Sequence, residues 1–356
     1  MIRKKKKKKV PSIKDVAAEA GVSISTVSSV INQNKFVSEE REARVKEAIK
    51  KLEYRPNIIA RGLRTKSTRA VGVILPDIAQ PFFAQVIRGM EESARTRGYT
   101  LILGCSFYDI EEEERQINIL MNQFVDGIIF FCGYDSHDHI RQVYDSGIPV
   151  VVTDREIGNT LIPSVLIDNV QSMEMVIDYL AGLGHTEIGY LSFSFDNQTT
   201  ARKRYEGYLS GLKKNKLEYD PGRVIIDDSI RLNEFAGSYI AVKKMLAGKD
   251  LPTAFATLAD YLAIGLIKAL KEMGYDIPGD ISVIGFNNEI VSQFSEPPLT
   301  SVKQPKKLMG KMAMDLLLDM VEGKDVKEKN IILPTEIIVR GSAGAAKKKQ
   351  KIVTTK

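Results

Sequence analysis

Cysteine, histidine and long apolar runs are scarce in this sequence, and each scarcity excludes a class of protein. Cys105 and Cys132 have no metal-ligand spacing around them and fall in strand-like runs, so we expect reduced thiols. The three histidines form no metal cluster and no catalytic relay. No apolar run reaches the roughly eighteen residues of a membrane span. The lysine run at residues 4–9 lacks the apolar stretch and cleavage site of a secretory signal.

Motifs of the common enzyme classes are also missing. No GxGxxG or phosphate-binding loop opens a helix, and neither a nucleophile elbow nor a His–carboxylate pair occurs. We therefore expect a cytoplasmic protein that is not an enzyme and that needs no cofactor or metal.

Length and charge indicate several domains with different partners. A chain of 356 residues is too long for one ordinary core. The net charge is +6, but basic residues dominate before residue 70 and acidic residues dominate from 70 to 342. A basic head on an acidic body predicts that only the head meets a polyanion. The lysine run itself is equally well read as a flexible, solubilising tail.

The head has the pattern of three short helices. Ser12 and Asp15 fit a capping box, and apolar residues follow at helical spacing. Gly21 permits a left-handed turn, and Ser23 can cap a second helix with Val27 inside. A third helix follows Ser38. This arrangement predicts a helix-turn-helix module.

Small hydroxyl residues cover the outer side of the second helix: Ser25, Thr26, Ser28 and Ser29. Small side chains let a helix approach the base edges of a DNA major groove, and hydroxyls can bond phosphates or bases. The alternative is a small helical domain whose serines merely face water.

The body alternates strand-like and helical segments. Runs such as "AVGVIL", "GIIFF" and "PVVVT" are separated by amphipathic stretches, and a second cycle begins near residue 164. Such alternation predicts two successive α/β halves with parallel sheets. Ligands bind such sheets at the carboxyl ends of the strands, so the cleft between the halves is the expected site.

Several motifs together resemble the lactose/galactose repressor (LacI/GalR) family of transcriptional regulators over about residues 11–341. "SIKDVAAEAGVSISTVSSVIN" is similar to its helix-turn-helix signature, and "DGIIFF", "LGHTEIGYL" and "PPLTSVKQP" to its effector domain. The resemblance implies an all-α head with a hinge helix, followed by a periplasmic-binding-protein-like body of two Rossmann-like lobes. It implies these ranges: a disordered basic tail (1–10), the helix-turn-helix domain (11–55), the hinge (56–69), the effector-binding and dimerisation domain (70–342) and a flexible tail (343–356).

The resemblance also implies where the chain crosses between lobes. The expected crossings lie near residues 165, 298 and 328. The first lobe would then span about 70–165 plus 299–328, and the second about 166–298 plus 329–342.

DNA contacts follow from the same resemblance. Ile24, Ser25 and Ser29 match base-reading positions, and Thr26 and Ser28 match phosphate-holding ones. Relatives often carry arginine where this chain has Ser29, which removes a bidentate guanine contact. Ile24 could instead complete the inner apolar stripe. The remaining implied contacts are Asn34, Asn57, Ala60, Arg61 and Leu63, the last as a leucine wedge in the minor groove. Residues 55–69 could alternatively be an ordinary connector.

Effector contacts are implied for nine residues of the body: Phe82, Phe83, Asp154, Arg155, Asp168, Arg204, Asp260, Asn287 and Gln304. Carboxylates and an arginine fork suit paired hydroxyls, and an aromatic face suits the C–H surface of a sugar. The phenylalanines could equally be core residues, and Arg204 could pair with an acidic neighbour.

Two departures from the family pattern concern the effector. Relatives often have asparagine where this chain has Ala259, and aspartate where it has Asn287 or Asn288. These changes leave open a ligand other than a standard sugar.

The predicted function is a transcriptional regulator, and a repressor in particular. It would act as a homodimer on a pseudo-palindromic operator and respond to a small effector, a sugar or related metabolite. The alternative is a sugar-binding protein of the transport-receptor type, which the basic head and the missing signal disfavour.

Overall fold

The structure is a computed structural model, and the chain divides into two units, Met1–Thr68 and Arg69–Lys356. It describes residues 11–32, 35–54, 67–131, 137–158, 161–195, 199–232, 234–246, 251–326 and 329–347. None of the helices in these ranges is both long and apolar enough to cross a membrane.

The first unit contains helices α1 (Ile13–Ala20), α2 (Ile24–Asn32) and α3 (Glu39–Lys51). The Asp15 carboxylate accepts from the Ser12 amide at 2.7 Å while the Ser12 hydroxyl accepts from the Asp15 amide, so the predicted capping box is confirmed. Gly21 has the left-handed φ of 62° that ends α1 and turns the chain into α2. The helices bury a shared core with Val27 and Val45 at its centre.

The second unit is built on two sheets with helices on their faces. In chain order the strands are β1 (Ala70–Leu75), β2 (Thr100–Cys105), β3 (Ile128–Phe130), β4 (Val150–Thr153), β5 (Ser164–Ile167), β6 (Ile188–Ser192), β7 (Val224–Ile226), β8 (Ala254–Thr257), β9 (Ser282–Asn287), β10 (Thr300–Lys303), β11 (Asn330–Leu333) and β12 (Glu336–Ile338). The sheet of the first lobe has the order β11–β5–β4–β3–β1–β2, and all its pairings are parallel. The sheet of the second lobe has the order β12–β10–β9–β8–β6–β7, in which only β12 runs antiparallel to its neighbour.

The helices between these strands cover the sheet faces, because most of the strand residues are apolar on both sides and must be shielded from water. Those of the first lobe are α4 (Pro81–Thr96), α5 (Ile110–Asn122), α6 (Asp138–Asp145) and α12 (Lys306–Val321). Those of the second lobe are α7 (Asn169–Gly182), α8 (Thr199–Lys214), α9 (Ser229–Leu232), α10 (Glu234–Leu246) and α11 (Asp260–Glu272).

Glycines bring α4 and α12 into backbone contact. A Cβ on Gly310 would lie 1.9 Å from the Val86 carbonyl oxygen, and one on Gly89 would lie 2.0 Å from the Lys307 carbonyl oxygen. Only glycine allows this approach, so α12 packs rigidly on α4 within the first lobe.

The crossings between lobes lie further along the chain than the sequence predicted. Strand β5 still belongs to the first lobe, so the first crossing falls near residue 168. Strand β10 belongs to the second lobe and β11 to the first, which places the other crossings near 304 and 334. Residues 166–167, 299–303 and 329–333 therefore belong to the other lobe from the one predicted, because strand-like sequence does not reveal which neighbour a strand will pair with.

The segment 343–347 is fixed to the second lobe, although the sequence predicted a flexible tail from 343. His185 Nε2 lies 3.0 Å from the Gly344 carbonyl oxygen, and the Ala346 amide donates to the Leu183 carbonyl. His185 also lies 2.9 Å from the Thr253 hydroxyl through Nδ1, and burial lowers its pKa. This buried histidine therefore fixes the segment 343–347 to the second lobe.

Candidate functional site

The outer side of α2 forms one wall of a surface concavity in the first unit. Ser25, Thr26 and Ser29 line it together with the segment from Lys35 to Ser38 and Arg41. The Ser23 hydroxyl accepts from the Thr26 amide at 3.1 Å, which fixes the start of the helix. Lys35 and Arg41, which the sequence did not single out, add two cations to a surface of small hydroxyl groups.

Ile24 lies at the surface with 44% of its area exposed, whereas Val27 is fully buried. Ile24 is absent from the apolar core of the three helices. The structure therefore favours a surface role for Ile24 over the inner stripe. Phe36, beside the concavity, is 98% exposed and is a further residue that the sequence did not identify.

The remaining predicted DNA contacts lie outside the described residues. They are Asn34, Asn57, Ala60, Arg61 and Leu63. Their roles, including the leucine wedge, stay predictions.

The second unit has a cleft between its lobes, with about 580 Å³ of empty volume that is partly open to solvent. Loops that follow the strands form its walls, as expected for parallel sheets. The first lobe contributes Gln80, Pro81, Phe82, Phe83, Tyr108 and Asp154. The second lobe contributes Phe193, Thr200, Ala201, Arg204, Leu258, Ala259, Tyr261, Asn287 and Glu289.

Backbone strain is concentrated in these loops. Tyr108 (φ 58°) follows β2, Asp154 (φ 51°) follows β4, and Asn287 (φ 105°) ends β9. Left-handed backbone is costly for residues other than glycine and persists where the surrounding structure fixes it, often at binding sites. The surrounding structure thus fixes the main chain of three residues that line the cleft.

Phe82 and Phe83 belong both to the core and to the cleft wall. Their exposed fractions are 6% and 2%, and their rings meet edge to face at a centroid distance of 5.3 Å. Phe83 packs in the same way on Phe131. The structure thus supports a core role for both rings, and their contact with an effector stays a prediction.

Arg204, a predicted effector contact, lines the cleft and is held there by its own hydrogen bonds. Its Nε donates to Asn169 Oδ1 at 2.9 Å and its Nη1 to the Leu258 carbonyl at 2.8 Å. The guanidinium lies over the Phe286 ring at 3.7 Å. It lines the cleft with 4% of its area exposed, so its position is fixed before any ligand binds.

Asn287 and Gln304 form a hydrogen-bonded pair. Gln304 Nε2 donates to Asn287 Oδ1 at 2.7 Å. Asn287 lines the cleft, whereas Gln304 lies behind it with 2% of its area exposed and no partner for its Oε1 in the described part of the chain. Gln304 is therefore placed to orient Asn287.

Asp260 does not reach the cleft surface, contrary to the prediction from the sequence. It is fully buried, and it accepts from the Glu289 amide at 2.6 Å and from the Ser292 and Ser301 hydroxyls. Burial raises its pKa from 3.8 to about 6, although these hydrogen bonds oppose the rise. Asp260 fixes the loop after β9 instead of contacting a ligand directly.

Arg155 and Asp168 are also displaced from the cleft wall. Arg155 Nη1 donates to Glu113 Oε1 at 2.7 Å, and His139 Nε2 lies 2.7 Å from the same oxygen. Burial alone would raise the pKa of Glu113, but His139 and Arg155 outweigh it and hold that pKa below its usual range. Asp168 caps α7 by accepting from the Gln171 amide. Both residues support the fold near the cleft.

Glu289 is the most important cleft residue that the sequence did not reveal. Only 4% of its area is exposed, and its Oε1 lies 3.1 Å from Lys306 Nζ. Burial raises its pKa, although Lys306 opposes the rise. Its position shortly after β9 in "GFNNE" was the available signal, since residues that follow strand ends form the cleft.

The chain matches two family models. Residues 12–57 match the model described as "Bacterial regulatory proteins, lacI family", and residues 177–343 match a periplasmic binding protein-like domain.

Curated relatives match along nearly the whole chain. Catabolite control protein A of Priestia megaterium is 35% identical over 331 residues, covering 93% of this chain and 98% of that protein. The HTH-type transcriptional regulator RegA of Clostridium saccharobutylicum is 33% identical over 331 residues with the same coverage.

Solved structures agree with the architecture. The lac repressor dimer bound to operator and the anti-inducer ONPF has a TM-score of 0.82 at 26% identity, over 95% of this chain and 100% of that one. A complex of the transcriptional regulator CelR with cellobiose has a TM-score of 0.70 at 28% identity, over 94% of this chain and 100% of that one.

Proposed function

Because this chain belongs to the LacI family of bacterial regulatory proteins, we propose that it represses transcription from a specific operator under control of a small molecule in its cleft. The protein is a DNA-binding regulator rather than an enzyme. The observation that carries the proposal is the combination, in one chain, of a helix-turn-helix unit with exposed hydroxyls and a two-lobed unit with a prepared cleft. Its place of action is the cytoplasm, where operator DNA is accessible.

In the DNA-binding step, α2 enters the major groove with its N-terminal side toward the bases. Ser25 and Thr26 lie at that end, and Ile24 is exposed for contact with a thymine methyl group. Two copies related by a two-fold axis would read two half-sites of a pseudo-palindrome. Leu63, outside the described residues, would enter the minor groove between the half-sites.

In the effector step, the cleft favours a small molecule with hydroxyl groups and an apolar face. Phe82 and Tyr261 offer apolar surface from opposite lobes, and Arg204 adds a cation to the lining of the same cleft. Relatives include the ribose operon repressor of Escherichia coli strain K12, and the CelR structure holds cellobiose. A sugar or related metabolite is the class we propose. Ala259 and Asn287 would give this cleft a selectivity different from that of family members with asparagine and aspartate at these positions.

Control of DNA binding by the effector requires that the ligand favour one arrangement of the lobes. The coupling free energy in such systems is typically about 1–3 kcal/mol, and it acts equally in both directions. A ligand that favours the DNA-binding arrangement would be a corepressor, and one that opposes it would be an inducer.

The test is selection of bound duplexes from a random DNA pool, followed by fluorescence polarisation with the enriched sequence. We expect one enriched pseudo-palindrome, and we expect Ser25→Ala to weaken its binding. Ser146→Ala, the same change on the surface of the second unit, is the matched control and should bind as the parent does. Failure to enrich any sequence at physiological salt would refute the proposal. Sugars and nucleosides are then screened for an effect on the complex.

A further inference from the structure

A buried ion pair joins the two lobes beside the cleft. Lys306 is the first residue of α12, which packs on the first lobe, and Glu289 follows β9 in the second lobe. Their side chains are only 11% and 6% exposed. We infer that Lys306 is a positioning residue that sets the angle between the lobes and orients the cleft loop 287–289; this inference rests on the proposal that the cleft binds the effector.

The ammonium group of Lys306 is fully satisfied by that loop. Its Nζ donates to the Asn287 carbonyl at 2.5 Å, to the Asn288 carbonyl at 3.1 Å and to Glu289 Oε1 at 3.1 Å. A lysine has three donor protons, and all three find acceptors in three consecutive residues of the opposite lobe.

The backbone of the loop is shaped for this contact. Asn287 and Asn288 have left-handed φ angles of 105° and 49°, which residues other than glycine adopt only when their surroundings fix them. Gln304 and Arg340 hold the two asparagine side chains, donating to Asn287 Oδ1 and Asn288 Oδ1 at 2.7 Å. The carbonyls that Lys306 contacts are thus held by the second lobe.

Lys306 itself is held by the first lobe. The glycine contacts hold the backbone of α12 directly against that of α4 in the first lobe. A cation at the first residue of a helix also opposes the helix dipole, so the three acceptors compensate for an otherwise unfavourable position. Movement of one lobe relative to the other must therefore strain or break this contact.

Two cleft-lining residues depend on the contact. Lys306 bonds the main chain of Asn287 and the side chain of Glu289, and both face the cleft. In the described part of the chain, Glu289 Oε2 accepts no hydrogen bond, so this oxygen is available to a ligand donor. A change at Lys306 would alter the lobe angle and the effector affinity without removing a ligand contact of its own.

The test measures the distance between the lobes in the ligand-free full chain by double electron–electron resonance. Spin labels are placed at exposed Arg95 in the first lobe and exposed Lys213 in the second, with Cys105 and Cys132 replaced by serine. Labelled protein is diluted with unlabelled chain, so that only distances within one chain are recorded.

We expect Lys306→Met to broaden the distance distribution and Lys306→Arg to restore most of its sharpness. Lys307→Met is the matched control, since Lys307 pairs with Glu92 within the first lobe at 2.7 Å and should leave the distribution unchanged. If Lys306→Met does not fold, Glu289→Gln replaces it, with a smaller broadening expected.

A folded Lys306→Met protein with the parent distribution would overturn the inference, as would an equal broadening in Lys307→Met. An unchanged distribution in Glu289→Gln would overturn it in the same way. These results are independent of operator selection, so a protein that selects no operator refutes the proposed function and leaves the inter-lobe contact standing.

Discussion

The buried carboxyl group of Asp260 allows a quantitative prediction of how the free energy of unfolding depends on pH. Its pKa is raised from 3.8 to about 6 by burial, which corresponds to about 3 kcal/mol at ~1.4 kcal/mol per tenfold change. The folded state binds the proton of Asp260 more tightly than the unfolded state does. Protonated Asp260 therefore makes its full contribution to the free energy of unfolding below about pH 4. This contribution is lost as the pH rises through about 6. Above that pH, ionised Asp260 destabilises the folded state.

The perturbation is Asp260→Asn, which cannot ionise. We expect the free energy of unfolding of the parent, relative to this variant, to fall by about 2–3 kcal/mol between pH 4 and pH 7. Asparagine keeps one acceptor for Ser292 and the Glu289 amide, and its own cost should not depend on pH.

The assay is guanidinium unfolding followed by circular dichroism at several pH values between 4 and 7. Ser146→Ala, an exposed change that removes no group titrating in this range, is the control, and its difference from the parent should stay constant. A parent–Asp260→Asn difference that does not change over this range, or that rises with pH, would refute the reasoning.

Three further changes test the DNA contact, the cleft and the packing. Leu63→Ala should weaken operator binding and reduce DNA bending in a gel-shift assay with unchanged effector affinity; equal bending would count against the wedge. Arg204→Ala should remove the response to effector while operator binding persists. It should also lower the melting temperature, because two hydrogen bonds from a charged group contribute ~1.5–3 kcal/mol each. Gly310→Ala should lower the free energy of unfolding by about 1–3 kcal/mol through collision with the Val86 carbonyl, and calorimetry showing no loss would contradict the close approach.

Much of the fold follows from local sequence. The Ser12–Asp15 capping box and the turn at Gly21 depend on residues within one helical turn, and both occur as predicted. The lobe to which β10 belongs could not be predicted in the same way. Strand β10 pairs with β9, with Val302 beside Phe286. This pairing depends on tertiary packing and cannot be read from the sequence of β10 alone.

The location of the cleft could be predicted from the sequence, but only some of the residues that line it could. Asp154, Arg204 and Asn287, which the family resemblance implied as effector contacts, line the cleft between the lobes. The prediction put Arg155 in the cleft, but its side chain pairs with Glu113. Glu113 lies on a helix distant in sequence, and nothing in the sequence indicates this contact. A polar residue after a strand can face the ligand or a buried partner, and only packing decides between them.

The chain crosses repeatedly between the two lobes, and this connectivity limits how new ligand preferences can evolve or be engineered. Strand β11 completes one sheet, and the next strand, β12, completes the other after two intervening residues. Neither half is a continuous stretch of polypeptide, so neither can be excised or transplanted as a cassette. New ligand preferences must therefore arise by replacing individual side chains or loops. The helix-turn-helix unit, in contrast, is one continuous stretch of sequence and can be exchanged by a single recombination.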